Sequence, residues 1–184
     1  MDDSALKITI VPGLAEVSPE EWNAVANPPG ERYDPFLSWE FLEAMESSGA
    51  ATPTTGWVPR HLIIRGDNGH LRAAMPLYAK MHSRGEFVFD QSWADAYERA
   101  GGSYYPKLLT AVPFTPVTGR RRLVPRGPDE AQLKAALLTG AIQLAEENKV
   151  SSLHINFVDS EDAETLANTG LLSRTDQQFR WVND

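Results

Sequence analysis

The sequence predicts an α/β (α+β) domain, a mixed and mainly antiparallel central sheet flanked by helices, and three observations predict it. A β-branched alternation opens the chain, an Asn-Gly turn joins two apolar arms near its middle, and a long amphipathic pattern precedes a further alternating run. With 184 residues, 42% hydrophobic and 23% charged, the chain supports one core and reads as one domain over 1–184. No repeat or low-complexity tract divides it.

Residues 6–11 alternate apolar and polar and stop at Pro12-Gly13, as a short opening strand does. Ser18-Pro19-Glu20-Glu21-Trp22 then supplies a capping hydroxyl, proline at the first helical position and a glutamate placed to return a bond to the cap backbone. That helix ends at Asn27-Pro28-Pro29-Gly30. A second begins after Ser38, where Leu37 and Leu42 have the spacing of a hydrophobic staple, and ends near Ser47-Ser48-Gly49.

Residues 61–65 and 71–75 flank Asp67-Asn68-Gly69, whose Asn-Gly pair suits the positive φ angles of a tight hairpin. The second arm runs on through 77–80, with Pro76 marking a bulge or an unpaired edge, and Ser83-Arg84-Gly85 turns it into a third antiparallel strand over 86–90. Residues 93–98 suit a short helix ending at Gly101-Gly102, and 107–112 a buried strand; Thr115-Pro116-Val117-Thr118-Gly119 is irregular. Leu133, Leu137, Ala141 and Leu144 form one stripe of a long helix that begins at Pro128-Asp129-Glu130 and ends at Asn148. Gly140 within it costs about 1 kcal/mol relative to alanine, which points to close packing against the sheet. Leu153, Ile155 and Phe157 then alternate with polar residues as a strand, 161–167 forms a last short helix, and a final strand runs from Leu171 towards Trp181.

Several chemistries are excluded early. The net charge is −8 and the pI about 5.0, which disfavours broad attraction to nucleic acid or anionic membrane outside a local basic patch. With no cysteine there is no disulfide framework, thiolate metal site or cysteine nucleophile. His61, His70, His82 and His154 form no helical metal pair, so no metal site is expected, and neither a Gly-Lys-Ser/Thr phosphate loop nor a Gly-x-Ser-x-Gly elbow is present. No run approaches the ~20 apolar residues of a membrane span and the first residues are acidic, so a cytoplasmic setting without a transmembrane segment is expected.

Two stretches carry candidate chemistry. Residues 90–107 pack rings, carboxylates and a lysine between glycines, the mixture that orients a polar organic ligand; the candidate substrate-binding residues are Asp90, Trp93, Asp95, Tyr97, Tyr104, Tyr105 and Lys107. The competing reading is that these rings only cover the sheet with their polar tips in water. In the second stretch, Thr115, Thr118, Gly119 and Arg120, beside Arg121 and Arg122, are candidate anion- or cofactor-binding residues, because hydroxyls, a glycine amide and guanidinium forks before a helix suit phosphate. A solvated turn of surface ion pairs explains them equally well. Asp90, Asp95 and Glu98 qualify as general bases by type, and His154 is either a base or a hydrogen-bonded structural histidine; no catalytic residue is assigned.

The order of elements resembles the GNAT acyltransferase fold. More specifically, DQSWADAYERAGGSYYPKLLTAVPFTPVTGRRR, with NPPGERYDPFLSWEFLEAMESSGA before it and SSLHINF after it, resembles the FemAB-like peptidoglycan biosynthesis/recognition branch of GNAT-related proteins. The resemblance implies an acyltransferase-type domain, transferring an N-acyl or aminoacyl group to an amine, with a small molecule or cell-wall precursor as substrate. Relatives in the broader Fem group join two GNAT-like units and draw the amino acid from aminoacyl-tRNA. This chain is therefore expected to correspond to an N-terminal half, pairing with a second such half or forming a homodimer. Acyl-CoA enzymes of the fold carry an Arg/Gln-x-x-Gly-x-Gly/Ala turn before the long helix. Here Gly119 stands alone in Thr118-Gly119-Arg120, which counts against acetyl-CoA binding; the candidate co-substrates are acyl-CoA and aminoacyl-tRNA. The alternative is a non-catalytic substrate-recognition or dimerisation domain of the same fold.

Overall fold

The computed structural model describes residues 6–175, 177 and 181. In chain order the elements are β1 (Ile8–Val11), α1 (Pro19–Ala26), α2 (Trp39–Ser47), β2 (Trp57–Pro59), β3 (His61–Arg65), β4 (Leu71–Met75), β5 (Tyr78–Lys80), α3 (Gln91–Arg99), β6 (Lys107–Thr110), α4 (Glu130–Glu147), β7 (Leu153–Ile155) and α5 (Ser160–Ala167). Both capping serines act as their positions predict: Ser18 Oγ accepts from Glu21 N at 3.2 Å and Ser38 Oγ from Phe41 N at 3.3 Å. The Glu21 carboxylate does not return to the cap; it pairs with Arg65 at 2.5 Å and ties α1 to the sheet.

One long hairpin forms the centre of the sheet. Its arms are β2 with β3 and β4 with β5, and the pairs Trp57↔Lys80, Pro59↔Tyr78 and Leu62↔Met75 all keep one register. Gly69, at φ 80°, makes the turn. Pro76 has no N–H to donate and interrupts the ladder, so the pairing divides into β1-β3-β4 on one side and β2-β5-β6-β7 on the other. Across the break Arg60 N donates to Leu77 O at 2.8 Å. The buried His61 closes it: Leu77 N donates to Nδ1 at 3.1 Å, which leaves Nε2 to donate to Glu46 at 2.7 Å and so couples α2 to the hairpin.

Alternation along β3 separates two cores. Ile63 faces Trp22, Val25 and Leu42 of the α1–α2 layer, whereas Leu62 and Ile64 face Leu133, Leu137 and Ala141 of α4. A Cβ on Gly140 would lie 2.5 Å from Ile8 Cδ1, the close approach its place in the helix predicts. β6 is antiparallel to β5 and parallel to β7, with α4 as the crossover. Beyond β6 the chain leaves the sheet and returns at Leu123, which pairs with Ala74. Midway, Gly119 N donates to Phe157 O at 3.0 Å and Asp159 N to Gly119 O at 3.3 Å, so this excursion fills the space between β4 and the continuation of β7.

Three further expectations are corrected. Residues 86–90 are not a strand; they run irregularly, with Phe87 at φ 55°. Strand β2 lies ahead of the arm predicted to begin at residue 61. Residues 171–175, predicted to begin a final strand, have no regular structure, and 176 and 178–180 of that span lie outside the described residues. Among the described residues no helix is long and apolar enough to cross a membrane.

Candidate functional site

Residues paired across neighbouring strands share a face of a sheet. The register therefore sets Trp57, Lys80 and Lys107 in one row, and Tyr78, Leu109 and His154 in the next, on the face turned away from α4. Residues 81–106, including α3, cover this face. Their buried side chains are chiefly polar.

Lys107 is the hub. Its fully buried Nζ stands 2.5 Å from Asp90 Oδ2 and 2.8 Å from Glu86 Oε2, and donates to Ser83 Oγ at 3.1 Å. Tyr104 donates its phenolic proton to Asp90 Oδ2 at 2.8 Å, and Tyr105 Oη lies 2.7 Å from Ser83 Oγ. Lys80, also fully buried, lies 3.6 Å above the centre of the Trp57 ring, donates to Arg84 O at 3.2 Å and is 4.0 Å from Glu86 Oε1. Two ammonium groups and two carboxylates thus balance in a sealed space.

Burial and partners tune each group. Burial brings Lys80 down to about 7, with the Lys107 charge adding to the fall and Glu86 opposing it. The same desolvation raises Glu86 against the pull of Lys107. Asp90 is also desolvated, but bonds from Lys107, Ser83 and Tyr104 outweigh that and hold its carboxyl below the usual range. Burial, and then the bond to Asp90, raise Tyr104. His154, with Nε2 2.9 Å from Ser152 Oγ, falls to about 4 through burial and the neighbouring Lys107. It is a neutral imidazole at neutral pH.

Of the residues singled out in the first stretch, the structure brings Asp90, Tyr104, Tyr105 and Lys107 together. Trp93, 68% exposed, lies with Asp95 on the outside of α3; Tyr97 is exposed as well and reaches the Tyr104 ring at 6.2 Å. Lys80, Glu86, Ser83 and Trp57 escape sequence reasoning, because only the cross-strand register places Lys80 beside Lys107.

The second stretch is internally paired. Thr115 Oγ1 donates to Pro113 O at 3.0 Å and Thr118 is exposed. Arg120 pairs with Glu31 at 2.9 Å and bonds to Ala26 O. Arg121 turns inward to the carbonyls of Asn156, Arg120 and Val117, and burial lowers it to about 10; Arg122 pairs with the buried Asp162 at 2.8 Å. At the start of α4, Lys134 meets Glu130 at 2.8 Å, Arg126 meets Glu161 at 2.8 Å and Asp129 meets Arg72 at 2.6 Å. A diphosphate would have to displace Glu31 or Glu161 before it could bind here. Among the described residues no group of three or more His, Asp or Glu side chains is placed to hold a metal ion.

The family model for FemAB-like proteins, described as peptidoglycan biosynthesis/recognition, matches residues 13–184. The chain belongs to the FemAB-like family. Solved structures place this FemAB-like domain in the GNAT fold. It is similar to a ribosomal-protein-alanine N-acetyltransferase from Brucella melitensis biovar Abortus 2308, at 17% identity and TM-score 0.54, over 96% of this chain and 100% of the other. It is also similar to the aminoglycoside antibiotic 6'-N-acetyltransferase AAC(6')-Ih from Acinetobacter baumannii, at 11% identity and TM-score 0.51, over 98% and 99% of the two chains. At these identities the likeness is one of fold. No curated protein matches this FemAB-like chain.

Proposed function

We propose that this FemAB-like domain takes part in N-acyl or aminoacyl transfer to an amine of a peptidoglycan precursor, in a cytoplasmic setting, with the substrate held against the Trp57–Lys80–Lys107–His154 face. The observation that carries the reading is the buried Lys80–Glu86–Lys107–Asp90 cluster, a concentration of tuned charge on one sheet face of a FemAB-like chain. In such a reaction the amine attacks an activated ester or thioester, a base takes its proton and oriented donors hold the oxyanion. Lys80 and Lys107 suit the holding of acidic groups of the precursor, while Asp90 is held too acidic and His154, at about 4, accepts a proton too weakly to serve as the base. Asp90, Tyr104, Tyr105 and Lys107 position the covering segment, with Trp93, Asp95 and Tyr97 on its outer side.

A second reading is recognition of the precursor without chemistry. It is favoured by the pairing of Arg120, Arg126 and Lys134 with carboxylates, where a donor's phosphates would seek cations. The discriminating experiment supplies a muropeptide acceptor with aminoacyl-tRNA or acyl-CoA and follows both binding and transfer. Transfer that Lys80→Met abolishes supports the first reading, and binding without transfer the second. Neither binding nor transfer would reject both.

A further inference from the structure

Residues 81–106 are attached to the sheet in an unusual way. The anchors are polar: Ser83, Glu86, Asp90, Tyr104 and Tyr105 converge on the two lysines. The large apolar side chains point outward, Phe89 being 73% exposed and Trp93 68%, and α3 buries only Ala94. Glycines in left-handed conformation stand towards either end, Gly85 at φ 79° and Gly101 at φ 87°. The segment is thus fastened by charge where most covering elements are fastened by apolar burial.

The fastening is also incompletely satisfied. Asp90 Oδ1, Glu86 Oε1 and Trp57 Nε1 are buried and have no hydrogen-bond partner among the described residues. Lys80 has three protons to donate and makes one hydrogen bond, to Arg84 O. Next to Glu86, Phe87 adopts φ 55°, a conformation unfavourable for a side-chain-bearing residue. Buried polar atoms are seldom left this way, and those that are call for a reason. Arg121, by contrast, spends its guanidinium on three carbonyls.

We infer that Glu86 and Asp90 stand in for the acidic groups of a ligand, and that residues 81–106 are a lid displaced when a dicarboxylate takes Lys80 and Lys107. The inference rests on reading this face as the substrate site, and it names the chemistry of what binds there. Charge balance gives the stoichiometry. With the lid closed two ammonium groups meet two carboxylates; with Glu86 and Asp90 withdrawn, two positive charges remain on adjacent strands, matched by two negative charges on the ligand. Carboxylates are the groups now seated there, and the Trp57 ring, which stays on β2 beside Lys80, offers a wall to a carbon frame. Displacement restores water to the lid carboxylates and gives the unpaired donors at Lys80 and Trp57 an anion.

The test is hydrogen–deuterium exchange of the full chain titrated with glutarate, and separately with inorganic pyrophosphate. Glutarate is expected to raise exchange over 81–106 saturably and several-fold. Ser83→Ala removes the hydrogen bond from Lys107 that fastens the lid to β6 and is expected to lower the glutarate midpoint about fivefold, while Lys80→Met is expected to abolish the response. No change in lid exchange in either the wild-type chain or Ser83→Ala would overturn the inference, as would an undiminished response in folded Lys80→Met. A lower midpoint for pyrophosphate than for glutarate would overturn the carboxylate assignment. Lid displacement by glutarate without any muropeptide binding or acyl transfer would reject the proposed function and leave this inference standing.

Discussion

Lys107 Nζ stands 2.5 Å from Asp90 Oδ2, an ion pair sealed between a sheet strand and the residue that precedes α3. Glu86 reaches the same ammonium at 2.8 Å. Removing Lys107 therefore strands two buried carboxylates, whereas removing Lys80 leaves Glu86 with its better partner. Breaking one side of a buried pair typically costs about 3–5 kcal/mol. Lys107→Met is expected to fall in that range, and Lys80→Met, similar in volume and still stacked on Trp57, to cost under about 1.5 kcal/mol. Urea-unfolding midpoints of the two variants measure the difference.

His154 ties stability to pH. Its folded pKa of about 4 lies below the unfolded value near 6.5, so the unfolded chain binds the extra proton first as pH falls. Stability from this group is fully present above about 6.5 and is lost progressively towards 4, a total on the order of 3 kcal/mol. His154→Gln is expected to flatten that part of the stability profile, as measured by thermal melts between pH 7 and 4.

Asp162, buried in the first turn of α5, holds the Arg122 guanidinium at 2.8 Å, with Arg121 N at 3.3 Å. Asp162→Ala leaves Arg122 buried without its carboxylate, and a loss of about 3–5 kcal/mol is expected. Asp162→Asn keeps acceptor and volume and is expected to lose less. Chemical denaturation ranks the pair.

Local chemistry was legible in the sequence and long-range pairing was not. The serine caps at Ser18 and Ser38, the Asn68-Gly69 turn and the interruption at Pro76 depend on a few adjacent residues, and each appears where its residues place it. In Glu86-Phe87-Val88-Phe89-Asp90 the same reasoning misleads. The run reads as a third antiparallel strand, yet it is irregular: the two lysines opposite draw Glu86 and Asp90 in and leave Phe87 and Phe89 exposed. The arginine run shows the same gap. Its charges are plain in the sequence, but Glu31 and Asp162, which neutralise Arg120 and Arg122, are distant along the chain and are joined to them only by the fold.

The central claim is that ligand binds over the β2-β5-β6-β7 face, beneath residues 81–106, and not at the turn before α4. Amide chemical-shift mapping with a muropeptide tests it most directly. The account expects the largest shifts at residues 57, 78–90, 104–109 and 154. Shifts concentrated at 115–134, with that face silent, would contradict it.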